Sequence, residues 1–370
     1  MKRAELALLG AVLLVFLVLI PIRTWSHGDD FEVFWRASRS LLAGEPIYSV
    51  ALFGNMVFKY PPWILPVFLP FAALPLAAAK IAYGLVQSAS LVYVARWLLQ
   101  RRVSPGMLAG LLVAFGGVIL VHANVGQVTL PLLAVALGLQ NVYIARESGW
   151  KLSALTWALS AKLFTAFPLL GLDWSKRALW KGALITTFAL VLLSLPVIAL
   201  SYGFDVIGTA KAWVEAMFSG TQLIAGKRIG FTTRECQGFP GLLLRLLPLN
   251  EENRVHVMAA TLVPVVAMFA GWKYAITRLR LSREDQWLGW LALMPVVQPL
   301  AWFHFFWFVF PVAALAMARG DRRTRMVAAI GVLLVAAVTE KTLGSVGSAL
   351  EMSSIKSWGT LVCLGSYLCG

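Results

Sequence analysis

Two adjacent carboxylates, Asp29 and Asp30, stand between two strongly apolar segments, in a stretch that reads RTWSHGDDFEVFWRASRSLLAGEPIYSVALFGNMVFKYPP from Arg23 to Pro62. A carboxylate in that setting can act as a general base, accepting the proton of a hydroxyl as a new bond forms. It can equally cap the helix that follows, since Asp is favoured at the N-cap and suits the positive end of the helix dipole. Cations are the second kind of chemistry. Lys162 sits at the centre of the apolar run 152–172. An ammonium near mid-bilayer costs roughly 2.5–3.5 kcal/mol on insertion scales, so Lys162 needs an anionic ligand or a carboxylate from another helix. Arg245 lies in GFPGLLLRLLPL, a run too short to span a membrane. It could grip a phosphate or merely snorkel to the interface. Lys227, Arg228 and Arg234 form a basic patch that is ordinary for a solvated loop. His304, in AWFHFFWF, has the surroundings of a satisfied structural histidine, and Gln127 and Gln237 carry little signal alone. No nucleotide-sugar loop, Walker loop or zinc motif is present, so transfer chemistry here would need a lipid-linked donor. The aspartate pair is a thin ligand set for a divalent ion; no metal is required and no cofactor is implied.

The elements that must position these groups follow from hydropathy. Of 370 residues, 59% are hydrophobic and 13% charged, where a soluble domain is nearer a quarter charged. With a mean hydropathy of +0.78 the chain reads as an all-α, polytopic transmembrane bundle of about 10–12 spans. Spans are expected at 5–22, 62–76 (short and broken by Pro66, Pro70 and Pro75), 77–99, 105–122, 127–144, 152–172, 182–202, 255–272, 286–318 (broken at Gln298–Pro299), 327–343 and 354–369. Lys2 and Arg3 precede the first apolar run, which has no small-residue cleavage site and so reads as a transmembrane helix with its N-terminus inside. The first outer loop is then 23–61 and the second 203–254, within a single membrane domain covering 1–370. In the first loop, Phe31, Phe34, Trp35, Ser38, Leu41 and Leu42 give one mostly apolar stripe, with Glu32, Arg36 and Arg39 opposite. Gly44 is placed to stop this helix, which is expected to lie flat at the interface. The clusters Lys176/Arg177/Lys181, Lys273–Arg283 and Arg319–Arg325 belong inside, but this count leaves Arg101, Arg102, Arg146 and Lys151 outside, against the positive-inside rule. The net charge of +15 is therefore an orientation signal with a possible affinity for anionic lipids, and not a nucleic-acid footprint. Three cysteines make neither a disulfide framework nor a metal spacing.

Several runs, in order, carry a resemblance. Asp30-Phe31-Glu32-Val33-Phe34-Trp35-Arg36-Ala37, Leu42-Ala43-Gly44-Glu45-Pro46-Ile47-Tyr48 and Phe58-Lys59-Tyr60-Pro61-Pro62 resemble the first outer loop of glycosyltransferase family 87. Gly126-Gln127-Val128, Lys162 with Pro168, Cys236-Gln237-Gly238 with Gly241 and Arg245, and Pro299-Leu300-Ala301-Trp302-Phe303-His304 resemble later stretches of the same family. Cys236 stands where the family has Asn, and Gly238 and Ala301 stand for serines. The resemblance implies a GT-C fold and transfer of a hexose, by expectation mannose, from a polyprenyl-phosphate sugar to a lipid-linked or glycan hydroxyl, with inversion. It implies a multi-pass protein of the inner (plasma) membrane with its active site on the outer face. Asp30 matches the catalytic base. Asp29, Lys59, Tyr60, Gln127, Lys162, Gln237, Arg245, Trp302 and His304 are the implied substrate-binding set, with Arg245, Lys162, His304 and Lys59 facing the departing phosphate. The competing class is a transporter or flippase that uses Lys162 and Arg245 to hold an anionic head group; it would predict inverted repeats, and none is seen.

Overall fold

The computed structural model describes residues 2–49, 57–140, 177–218, 232–247, 253–298 and 300–370, with a few isolated positions between them. The helices are α1 (Lys2–Ser26), α2 (Asp29–Leu42), α3 (Leu76–Gln100), α4 (Pro105–Ala114), α5 (Gly116–Val125), α6 (Thr129–Gly138), α7 (Arg177–Tyr202), α8 (Val206–Phe218), α9 (Phe239–Leu246), α10 (Arg254–Leu279), α11 (Arg283–Val297), α12 (Phe310–Arg319), α13 (Arg322–Ala336), α14 (Glu340–Met352) and α15 (Ile355–Cys369). The fold is all-α; among the described residues the strands are a hairpin of two three-residue pieces, β1 (Gln222–Ile224) and β2 (Lys227–Ile229).

Among the described residues, α1, α3, α7 and α10 are long and apolar enough to cross a membrane, and six crossings result if the bent pairs α4–α5 (58°) and α13–α14 (96°) each count as one. Among the described residues, several apolar runs expected to span are built as shorter helices, such as the 10 residues of α6 and the 15 of α11. The expected span 152–172, with Lys162, lies outside the described residues. Proline breaks the run 62–76 into a 3-10 segment, Pro62–Val67, and a single turn, Leu69–Ala72, so it does not cross as a helix. The expected span 327–343 is also interrupted. Thr339 and Thr342 form a reciprocal capping box that closes one helix and opens the next. The break at Gln298 is as expected: α11 ends at Val297 and Gln298 is extended. The second outer loop, 203–254, holds α8 and α9, with Phe204, Val206 and Ile207 presenting exposed apolar side chains.

Removing 62–76 as a crossing changes the end assigned to Arg101 and Arg102, while Arg146 and Lys151 lie outside the described residues. α3 now runs from Lys80, beside α2, to Arg101 at its far end. There Arg101 pairs with Glu284 at 2.7 Å, which joins it to the Lys273–Arg283 cluster. Arg319 and Tyr367 meet Asp285 at the same end. The basic clusters therefore gather at one end, and Asp30 lies at the other. Residues 283–319 form a hairpin whose tip shares the Asp30 end.

The core sits around α11, the 3-10 segment Phe303–Val309 and α12. Beyond the polar first turn of α11 and before Arg319 these segments are largely apolar and buried on every side, with Trp287, Trp290, Trp307, Phe306, Phe308 and Phe310 almost fully enclosed. α1, α7 and α10 keep less than a quarter of their apolar windows buried, so they form the lipid-facing rim, while α3 buries half. α1 and α3 touch backbone to backbone, since a Cβ on Gly84 would come within 2.6 Å of Pro21.

Candidate active site

The first turn of α2 carries the aspartates, and four contacts seat it. Gly28, in the left-handed region, is the N-cap, so neither Asp29 nor Asp30 occupies that position. The Gly28 N–H donates to the Asn124 carbonyl at 2.7 Å. Gly126 (φ 70°) lies flat against Phe31: a Cβ there would sit 2.8 Å from the Phe31 Cβ. Lys80 donates to the His27 carbonyl (2.6 Å) and to Glu32 Oε2 (2.9 Å), tying the end of α1 to the start of α2. Tyr83, one turn along α3, stacks on Phe31 at 4.5 Å and donates to the Gln127 carbonyl at 3.0 Å. Burial opposes ionisation of Glu32, yet its bonds to Lys80 and Arg36 hold it below the usual glutamate range. Gly126→Ala forces a residue with a Cβ into the left-handed region and pushes on Phe31. We expect stability to fall by about 1–3 kcal/mol. A thermal unfolding curve that matches the wild type would show that α2 is not seated on this turn.

Helical geometry separates the two aspartates. Asp30 heads the row Asp30, Phe34, Ala37, Leu41 (i, i+4, i+7, i+11), whose three apolar members are buried, and Asp30 itself is half-buried. Asp29 is exposed. The expected stripe holds at Phe31, Phe34, Ser38 and Leu41, but Leu42 is 61% exposed because the helix rolls toward Val33 and Ala37. Gly44 does stop the helix, at φ 74°.

Lys59 and Tyr60 lie on the strap that follows. Its backbone is held by the Trp213 indole N–H to the Lys59 carbonyl (3.2 Å) and by the Tyr48 hydroxyl to the Tyr60 carbonyl (2.9 Å). The Tyr60 ring packs edge-on to Phe34 at 4.6 Å, and its hydroxyl donates to Gln127 Oε1 at 3.3 Å. Burial pushes the Lys59 ammonium down to about 8, while the charge of Asp30 pulls it back up. Burial and the same Asp30 charge hold the Tyr60 phenol well above its ordinary range. Asp30, Lys59 and Tyr60 thus act on one another electrostatically.

The far wall comes from the loop before α9 and from the tip after α11. Trp302 and Thr233 hydrogen-bond to the Cys236 side chain, and burial pushes that thiol up to about 12. Cys236 also lies within electrostatic range of Lys59. His304 is 1% exposed, next to Trp302 (6.1 Å between rings) and His122 (6.4 Å). The structure therefore brings Asp30, Lys59, Tyr60, Gln127, Trp302 and His304 into one neighbourhood.

Two residues expected to bind substrate are engaged otherwise. Arg245 donates to the Met352, Thr233 and Cys236 carbonyls and to Ser354 Oγ, at 2.7–3.1 Å, which uses four of its five N–H groups. Gln237 is fully buried and donates to the Arg234 and Glu351 carbonyls. Both hold the wall in shape. Arg234 is drawn off the basic patch into an ion pair with Glu340. Lys80 and Lys356, both buried, were missed in the sequence. For Lys80 the signal was available: a charge inside an apolar helix, the same one that singled out Lys162. Among the described residues no group of three or more His, Cys, Asp or Glu side chains is placed to hold a metal ion.

No curated protein and no solved structure matches the chain. The family model of glycosyltransferase family 87 matches residues 58–299, well over half of it. That stretch carries Lys59, Tyr60 and Gln127, while Asp30, Trp302 and His304 lie outside it and join them through the fold. A multi-pass helical chain matched over this length belongs to glycosyltransferase family 87, and it is a membrane glycosyltransferase.

Proposed function

We propose that the protein moves a hexose, mannose by family resemblance, from a polyprenyl-phosphate sugar to a lipid-linked or glycan hydroxyl, with inversion, on the outer face of the inner membrane in a GT-C fold. The observation that carries this reading is the electrostatic coupling of a half-buried carboxylate, Asp30, to a half-buried ammonium, Lys59, at the end of the bundle opposite the basic clusters. The positive-inside rule puts those clusters in the cytoplasm and so supports an outer site.

The chemistry balances with these two groups. The acceptor hydroxyl attacks the anomeric carbon, and Asp30 takes its proton as the new C–O bond forms. The bond from that carbon to the phosphate oxygen breaks, and the polyprenyl phosphate leaves with the electron pair. Lys59 meets the charge that develops on it, in a site where burial strengthens the interaction. Trp302 and His304 line the same side. Gln127 accepts from the Tyr60 and Tyr83 hydroxyls and so holds Tyr60 in place. A single displacement inverts the sugar. The test is to give the purified protein a β-linked polyprenyl-phosphate mannose and an acceptor lipid. We expect free polyprenyl phosphate and an α-linked product by NMR. A β-linked product would reject single displacement, and donor moved across the bilayer intact would favour a flippase.

A further inference from the structure

The stretch matched by the family ends at residue 299, yet the walls of the site are held from beyond it. Between α14 and α15 the chain turns through Ser354, in the left-handed region (φ 56°). Ser354, Lys356 and Ser357 are completely buried. Three of their contacts grip the Cys236–Gly238 loop. Ser357 Oγ donates to the Gln237 carbonyl at 2.6 Å, Ser354 Oγ to the Gly238 carbonyl at 3.3 Å, and the Lys356 N–H to Gln237 Oε1 at 3.5 Å. The Lys356 side chain reaches the other way. Its ammonium donates to the Val335 and Val338 carbonyls at 2.9 and 3.0 Å, where α13 ends and its dipole favours a cation. It also lies 3.6 Å above the ring of Phe303, the residue between Trp302 and His304. One buried lysine therefore touches both pieces of chain that make the far wall.

We propose that Lys356 is a positioning residue for sugar transfer. Anchored on the end of α13, it sets the Phe303 segment against the Cys236–Gly238 loop, which makes the turn between α14 and α15 part of the active-site wall. It does not meet substrate: it is enclosed, and protein carbonyls and a ring face take up its ammonium. The proposal rests on the reading of this site as a sugar-transfer centre, and its test separates the two.

The chain supplies its own reporters. Cys236 is buried in the positioned loop, Cys363 is buried on α15 two turns beyond Lys356, and Cys369 is exposed. The full-length wild type, Lys356→Met and Ser357→Ala are labelled with N-ethylmaleimide and read peptide by peptide in a mass spectrometer. We expect Cys236 to label about tenfold faster in Lys356→Met and several-fold faster in Ser357→Ala, with Cys363 still protected and Cys369 unchanged. In the same preparations the KM for a polyprenyl-phosphate sugar rises about tenfold in Lys356→Met, with the acceptor KM unchanged. Where Lys356→Met does not fold, Ser357→Ala, which loses one hydroxyl, decides. Cys236 protected as in the wild type, or opening only together with Cys363 in Ser357→Ala, overturns the proposal. A wild type that transfers no sugar overturns the functional reading instead, and the labelling still decides whether the clamp exists.

Discussion

Asp30→Asn lowers the turnover of sugar transfer by about 10²- to 10⁴-fold and leaves the fold intact. Asn has the same shape and can still hydrogen-bond, but it cannot take the acceptor proton as the new bond forms. The fold survives because α2 is anchored by other groups: Gly28 is the N-cap, and Phe31, Phe34 and the Lys80–Glu32 pair fix the helix. Asp29→Asn is the matched control. Asp29 is exposed and off the buried row, so its loss changes turnover by less than about threefold. The measurement is radiolabelled transfer beside thermal unfolding for both variants. Equal losses would remove the distinction between the aspartates, and full activity in Asp30→Asn would remove the base.

Lys59→Met raises the KM for the anionic donor about 10- to 100-fold, the range for losing a charge-assisted hydrogen bond of roughly 1.5–3 kcal/mol. The pH dependence follows from the same group. Burial brings the Lys59 ammonium down to about 8, so it is charged below that pH and neutral above it. Only the charged form attracts a phosphate. The wild-type kcat/KM for donor therefore falls as pH rises through about 8, and Lys59→Arg, which stays charged, loses that limb. A kcat/KM profile that is level through this range in the wild type would show that Lys59 does not meet the donor.

Much of this was legible in the sequence. The membrane class, the helix from Asp29, its stop at Gly44 and the break at Gln298 all follow from local pattern: apolar spacing, glycine and proline. The run 62–76 shows the limit. Hydropathy reads it as a span, but Pro66, Pro70 and Pro75 remove the backbone bonds a crossing helix needs, and that one miscount reversed the side assigned to Arg101. Arg245 and Gln237 show another limit. The family resemblance implied ligand binding, whereas their partners, Met352, Ser354 and Glu351, lie more than a hundred residues away in the chain. No local rule reports such pairings, and the same holds for Lys356. Helix phase separates Asp30, which heads the buried row, from exposed Asp29, and it needs only the register of that row.

The most direct test is a structure of the Asp30→Asn protein with a polyprenyl-phosphate sugar bound in a lipid nanodisc. The account predicts the phosphate in ion-pair contact with Lys59, Trp302 and His304 alongside it, and the anomeric carbon open toward residue 30. A phosphate seated at the Arg101–Glu284 end, or a sugar turned away from residue 30, would contradict it.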